Sequence, residues 1–278
     1  MCEFCTKHGE GKKWYLRVEN YSKELCEKLK SEETGVYFGK NFNKIMNFFE
    51  GAFGVIDKMP RSMRQLAKSL HSMWQKKMHI GQVIPLEDAY EVLERMSSIV
   101  RLPCLCRRYS VKEEGRYCLG ITLNPIKDET KRNVANIFYG SPDLSNLEYL
   151  TFDEVKSLLA EYDKKGLVHT IWTMKTPYVV AVCNCEVNSC TGFRFVHRGI
   201  KAVLRAEYVA VLDPEKCIGC SACLKNCHFN AIHYVEEVRK VHIHAEACYG
   251  CGLCRAKCDQ GAIKLIERHE HVTARNIW

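Results

Sequence analysis

Apolar residues recur at steps of three and four through residues 41–100, which predicts helices there, starting in NFNKIMNFFE and continuing through RSMRQLAKSLHSMWQKKM. In the second segment Met63, Leu66, Ala67, Leu70, Met73, Trp74 and Met78 form an apolar stripe opposite Arg64, Lys68, Lys76 and Lys77. Core packing is the expectation for that stripe, although a membrane-surface or partner helix would carry the same pattern. Residues 21–30 also read as a helix, and Pro85 at a first helical position opens LEDAYEVLERMSS. At residues 151–154, TFDE has the form of a capping box, and its helix is expected to end at Gly166. YVVAVCNC follows as a β-branched run. Residues 119–150, with Gly140, Pro125 and Pro142, read as loop with a strand or two. IKAVLRAEYVAVLD is expected to form a helix and then a strand, and short strands begin at Ala231 and Ala262.

These elements predict an α+β fold. A mainly helical N-terminal region covers residues 1–100, and a cysteine-rich α/β middle domain covers 101–205. A third unit, at 206–278, holds a dense cysteine repeat and a tail with His269, His271 and Trp278. No flexible Gly/Ser linker precedes that unit, so it should pack against the rest. At 46% hydrophobic content the 278 residues can bury a core, and no apolar run reaches the roughly 18 to 20 residues that a membrane span needs. The N-terminal MCEFCTKHGEGKKWYL has no apolar segment of the signal-peptide kind, so a cytoplasmic location is expected. In that compartment seventeen cysteines argue for metal ligation, because disulfides are not maintained there.

Eight of the seventeen fall into two copies of CxxCxxCxxxC. Copy one is Cys217, Cys220, Cys223 and Cys227; copy two is Cys248, Cys251, Cys254 and Cys258, at a constant offset of 31 residues (248 − 217 = 31). Three thiolates at i, i+3 and i+6 can hold three corners of one iron–sulfur cube, and the fourth sulfur must come from elsewhere. The expected ligand sets therefore cross over. Cys217, Cys220, Cys223 and Cys258 would bind one [4Fe-4S] cluster, and Cys248, Cys251, Cys254 and Cys227 a second. Gly219 and Gly250 inside the loops would let backbone N–H groups approach the sulfurs. Zinc is the alternative, but zinc usually takes two CxxC pairs separated by a longer loop.

Residues 213–266 resemble the bacterial two-[4Fe-4S] ferredoxin domain, a pseudo-twofold α+β unit that carries single electrons. That family usually has proline after each fourth cysteine, whereas here His228 follows Cys227 and Asp259 follows Cys258. A carboxylate beside a cluster disfavours an added electron and a protonated imidazole favours it, so the two clusters are expected to be unequal.

Six more cysteines stand in two similar groups, Cys104, Cys106 and Cys118, then Cys183, Cys185 and Cys190. Four sulfurs from two loops would suit a further iron–sulfur cluster, with zinc as the main rival and metal-free thiols as a third reading. Arg107 and Arg108 would offset the negative charge of such a site. The order CLCR, CLG, GLVH and CNC ahead of the repeat is similar to a group of anaerobe ferredoxin-type proteins, and covers residues 85–266. In that group the CNC segment tends to carry more cysteines in succession than CNCEVNSC does. Near the N-terminus, Cys2, Cys5 and His8 form a smaller candidate metal site, and Cys26 lies in the helix expected at 21–30.

Charge changes this picture little. The formal +8 counts cysteines as neutral, and two clusters at about −2 each bring it to about +4. Nucleic-acid binding is not implied, and a basic patch for an acidic redox partner remains compatible. There is no GxGxxG, GxxxxGK or HExxH, so nicotinamide, nucleotide and zinc-protease chemistries have no motif. The expectation is an iron–sulfur electron-transfer protein serving redox protein partners in anaerobic metabolism. The alternatives are an iron–sulfur oxidoreductase whose central cysteine site meets a substrate, and a subunit or regulator of a larger redox complex.

Overall fold

The computed structural model describes residues 13–17, 31–78, 80–123, 127–175 and 178–277. Cys2, Cys5, His8, Cys26 and the helix expected at 21–30 lie outside the described residues. Helices α1 (Ser31–Lys58) and α2 (Arg61–Met78) come first, followed by β1 (Gly81–Val83), α3 (Leu86–Glu94) and β2 (Ser98–Leu102). Next are α4 (Leu105–Ser110), β3 (Cys118–Thr122), α5 (Asp128–Tyr139), β4 (Glu148–Tyr149) and α6 (Phe152–Lys164). The hairpin of β5 (Val168–Lys175) and β6 (Tyr178–Cys185) leads to α7 (Thr191–His197) and β7 (Tyr208–Leu212). The chain closes with α8 (Ala222–Lys225), β8 (Ile232–Val235), β9 (Lys240–Ile243), α9 (Leu253–Ala256) and β10 (Ile263–Glu267).

Six strands form one sheet in the order β1-β5-β6-β3-β2-β4, and all of its pairings are antiparallel. The middle of the chain is thus α+β, a correction to the expected α/β arrangement. Residue 100, expected to end the helical region, lies inside β2. The sheet packs on α3 and α6 through Ile84, Val92, Leu93, Leu119, Leu159, Tyr162 and Val182, all essentially inaccessible. Helix α6 begins on the capping box foreseen in TFDE, with Thr151 N–H donating to Glu154 Oε2 (2.8 Å) and Glu154 N–H to Thr151 Oγ1 (3.3 Å).

Three local expectations need correction. Residues 128–139 are helical, opened by Asp128 and Glu129 in the first turn and closed by Gly140 in the left-handed region. No helix forms ahead of β7, because residues 203–206 run along β1 instead: Val83 N–H donates to Leu204 O (3.0 Å) and Leu204 N–H to Gly81 O (2.8 Å). The α2 stripe is not core, since Met63, Leu66, Leu70 and Met73 are exposed.

The C-terminal unit repeats itself. Helices α8 and α9 stand 31 residues apart (253 − 222 = 31), as do the starts of β8 and β10 (263 − 232 = 31). β7 pairs with β10 and β8 with β9, both antiparallel. This unit is fixed to the sheet and to α3 by polar contacts, most of them buried. Asp88 on α3 accepts the hydroxyls of Tyr15 (2.7 Å) and Tyr208 (2.9 Å), and burial pushes its carboxyl pKa up. Gln82 receives Trp14 Nε1–H (2.7 Å) and donates to Arg205 O (3.0 Å) and Glu207 Oε1 (3.1 Å). Arg255 forms a two-pronged ion pair with Glu87, at 2.8 and 2.7 Å.

Asp88→Ala removes the acceptor shared by two buried tyrosine hydroxyls and should cost about 2–4 kcal/mol in chemical denaturation. Tyr90→Phe removes an exposed hydroxyl bond to Lys156 O and should change stability by less than about 0.5 kcal/mol.

Candidate metal centres

The two cysteine repeats enclose two hollows, and the walls exchange cysteines between copies. The first hollow, about 330 Å³ counting the space open to solvent, is lined by Cys217, Cys220, Cys223 and Cys258. The second, about 340 Å³, is lined by Cys248, Cys251, Cys254 and Cys227. Local turns explain the grouping. Within each copy the first two cysteines lie in a loop, the third lies in a one-turn helix, α8 or α9, and the fourth follows that helix and lines the other hollow.

Backbone N–H groups face the sulfurs at equivalent places. Ala231 N–H donates to Cys227 Sγ (3.4 Å) and Ala262 N–H to Cys258 Sγ (3.3 Å). Cys248 Sγ accepts from Ala210 N–H (3.4 Å) and Gly250 N–H (3.3 Å). Such donors stabilise thiolates, the form in which cysteine ligates metal. The donor set of each hollow, four thiols with inward-facing amides and apolar walls, fits a four-thiolate iron–sulfur group.

Gly219 and Gly250 hold matching conformations, with φ at +73° and +72°. A Cβ on Gly219 would stand 2.2 Å from Arg239 O, and one on Gly250 would stand 2.2 Å from Tyr208 O. Glycine is required in both loops because a backbone carbonyl, from the turn before β9 at Gly219 and from β7 at Gly250, stands where a Cβ would lie.

The hollows differ in depth. Cys220 is exposed at the first, beside Ile218 at 66% exposure, whereas Cys248 and Cys254 at the second are buried. His228, which stands where the resembling family has proline, places Nε2 2.8 Å from Gly166 O at the end of α6.

The six central cysteines meet. Cys118 and Cys183 face each other across β3 and β6 with sulfurs 3.4 Å apart. Cys104 precedes α4, Cys190 precedes α7, and Cys185 ends β6. Beyond the pair of Cys118 and Cys183, Cys104 interacts with Cys118, Cys106 with Cys190, and Cys185 with both Cys183 and Cys190. Hydrogen bonding to Cys118 and burial push the Cys104 thiol up, and hydrogen bonding to Cys190 and burial raise Cys106. Cys185 moves the other way, down to about 6, because Cys183 and Cys190 hydrogen-bond to its sulfur. Thr170 Oγ1 lies 3.4 Å from the same sulfur. Among the described residues, no three histidine, cysteine, aspartate or glutamate side chains converge on a single-ion position.

The loops bearing these thiols are tied together by Arg107, which pairs with Glu186 and, at 2.9 Å, with Glu113. Arg108 binds Glu114 at 2.8 Å. The arginines expected to balance a metal site are thus matched to glutamates. Ser110 Oγ–H adds a bond to Ser189 O (2.9 Å).

Sequence reasoning missed three groups. Arg268 is fully buried in the tail, donating to Ala206 O (2.8 Å), Tyr208 O (2.7 Å) and Cys248 O (2.9 Å), and burial lowers its pKa to about 10. His169, also buried, holds Asn184 between Cys183 and Cys185 through Nδ1 (2.7 Å) and lies 3.6 Å from Asp163. Phe193, Phe229 and Tyr249 form a run of rings, with centroids 5.6 and 4.1 Å apart, from the Cys190 helix to the second hollow. His169 falls in the GLVH segment, where the sequence reading gave it no role, and no local pattern announced the other two.

A family model described as a 4Fe-4S dicluster domain matches residues 216–262. No curated protein matches the chain. The C-terminal part is therefore an iron–sulfur, ferredoxin-like domain, in keeping with both hollows. Among the described residues no helix is long and apolar enough to cross a membrane.

Gly250→Ala should reduce bound iron and sulfide per chain by about half or more, because its Cβ can be accommodated only by moving backbone. Gly140→Ala, equally left-handed at φ +74° but facing open space, should keep full iron and lose only about 1–2 kcal/mol.

Proposed function

We propose that this chain is an electron-transfer protein that binds two [4Fe-4S] clusters at its C-terminal end and uses the central cysteines to extend the relay. The observation that carries this reading is the crossed pair of cysteine quartets. One set is Cys217, Cys220, Cys223 and Cys258; the other is Cys248, Cys251, Cys254 and Cys227. When bound, such a group accepts and releases one electron with little change in its ligands.

The chain's own residues then set conditions at each end. Around the first hollow, exposed Cys220 and Ile218 bring the site to the surface, and Lys216 and Lys225 flank them. That face suits a redox protein with acidic residues around its own centre. Around the second, Phe229 and Tyr249 form part of the wall.

The extension toward the middle rests on continuity of packing. Cys183, Cys185 and Cys190 share one apolar cluster with Phe193, Phe229, Tyr249, Leu253 and Cys251. Water is thereby kept from the interval between the second hollow and the central thiols, which favours electron exchange over side reactions. We assign the central six thiols to a further iron–sulfur cluster, with zinc as the competing occupant. Residues 206–278 form the two-cluster domain in this reading, 101–205 the central site, and 1–100 the helical region.

The test is an iron, acid-labile sulfide and zinc count on protein purified without oxygen, with reduced-state EPR on the same sample. About 12 Fe per chain establishes the extended relay. About 8 Fe with one zinc, or with none, confines electron transfer to the C-terminal domain and refutes the central cluster. Cys183→Ser should then lower the count by about 4 Fe while leaving the signals of the C-terminal pair in place.

A further inference from the structure

Helix α2 sits on the protein the wrong way round for a core helix. Met63, Leu66, Leu70 and Met73 fall on one face at helical spacing and are exposed by 58, 64, 56 and 60%. The face turned to the body is polar. Ser72 Oγ accepts from Lys201 N–H (3.3 Å), the His71 ring stacks on Phe195 at 5.6 Å, and the Lys68 side chain lies beside Gly199. Arg64 reaches back to the end of α1, donating to Asp57 O (2.9 Å) and Met59 O (3.0 Å). These contacts hold the apolar row outward, so it has no partner in its own chain among the described residues.

Charge selects the occupant. Residues 61–78 contain Arg61, Arg64, Lys68, Lys76 and Lys77 and no aspartate or glutamate. A second copy packed symmetrically on this face would set basic helix against basic helix. An anionic surface answers both features at once, because the apolar side chains can enter it and the basic composition of residues 61–78 draws the helix toward it. A helix that lies in a bilayer interface has this composition: one narrow apolar row, and polar residues rich in lysine and arginine over the remainder. We propose that α2 docks this protein on an anionic phospholipid surface, with Met63, Leu66, Leu70 and Met73 in the outer acyl region.

The experiment uses the full, iron-loaded chain with phosphatidylcholine vesicles, with or without phosphatidylglycerol, and reads the pelleted fraction. Binding is expected to the anionic vesicles, weak or absent on neutral ones, and reduced at high salt. Leu66→Asp with Leu70→Asp should lower partitioning at least about tenfold. Lys76→Gln with Lys77→Gln should lower it by about fivefold per charge. The leucines are exposed, so iron content and circular dichroism should match the parent; the lysine variant tests the charge component independently. Equal partitioning of parent and both variants, or no binding to anionic vesicles, overturns the proposal. So does a dimer in light scattering that Leu66→Asp dissolves, which would assign the face to a second copy. Iron counts that match the parent in every variant separate these outcomes from failure of the electron-transfer reading.

Discussion

Buried sulfur is the constraint on which this fold depends. Seventeen cysteines stand in 278 residues, and all fourteen within the described residues are free thiols gathered into three groups. Thiolates in a low-dielectric interior repel one another and lose hydration, so each group needs cations, amide donors or protons. In the C-terminal unit the amides of Ala231, Ala262, Ala210 and Gly250 supply part of that compensation. Metal supplies the rest, which couples ligand binding to folding. Because Cys227 and Cys258 each serve the hollow of the other repeat, neither repeat can complete its site alone. The crossing makes the two halves one cooperative unit.

That unit is joined to the sheet by hydrogen bonds that also steady the cysteine loops. Arg268 grips the carbonyl oxygens of Ala206, Tyr208 and Cys248, so one side chain from the tail fixes the connector, β7 and the loop of the second hollow. Tyr208 O is the same oxygen that leaves no space for a Cβ at Gly250. Asp88 in turn holds the Tyr208 hydroxyl from α3. A rigid chain of contacts thus runs from the sheet to the second hollow, and a rigid setting lowers the reorganisation that accompanies a change of charge.

What the sequence revealed follows from the range of each interaction. Three cysteines in seven residues are a local pattern, so the turn that gathers them was legible, and the fourth cysteine of each copy lines the other copy's hollow. The capping box at Thr151 was legible for the same reason. Meeting of the six central cysteines was suggested by their number, but the facing of Cys118 and Cys183 depends on strand register that periodicity does not carry. Arg268 was illegible because its partners are backbone carbonyls, which have no residue signature. The segment ahead of β7 was misassigned because edge pairing with β1 outweighs helix propensity. The stripe on α2 was found correctly as segregation; periodicity states that two faces differ and is silent on which one turns inward.

The inverted placement of α2 bears on the thiol site through one shared element. Helix α7 begins just after Cys190 and then presents Phe195 to Phe49 and Phe53 of α1 and to His71 of α2. Arg194 pairs with Glu50, and Arg198 with Asp57 at 2.8 Å, both on α1. The opposite side of α7 contributes Phe193 to the ring run that reaches the second hollow. A seven-residue helix gripped on both sides has little freedom to shift one side alone. The short helix that follows Cys190 is thus packed on one side against α1 and α2 and on the other against the rings that reach the second hollow.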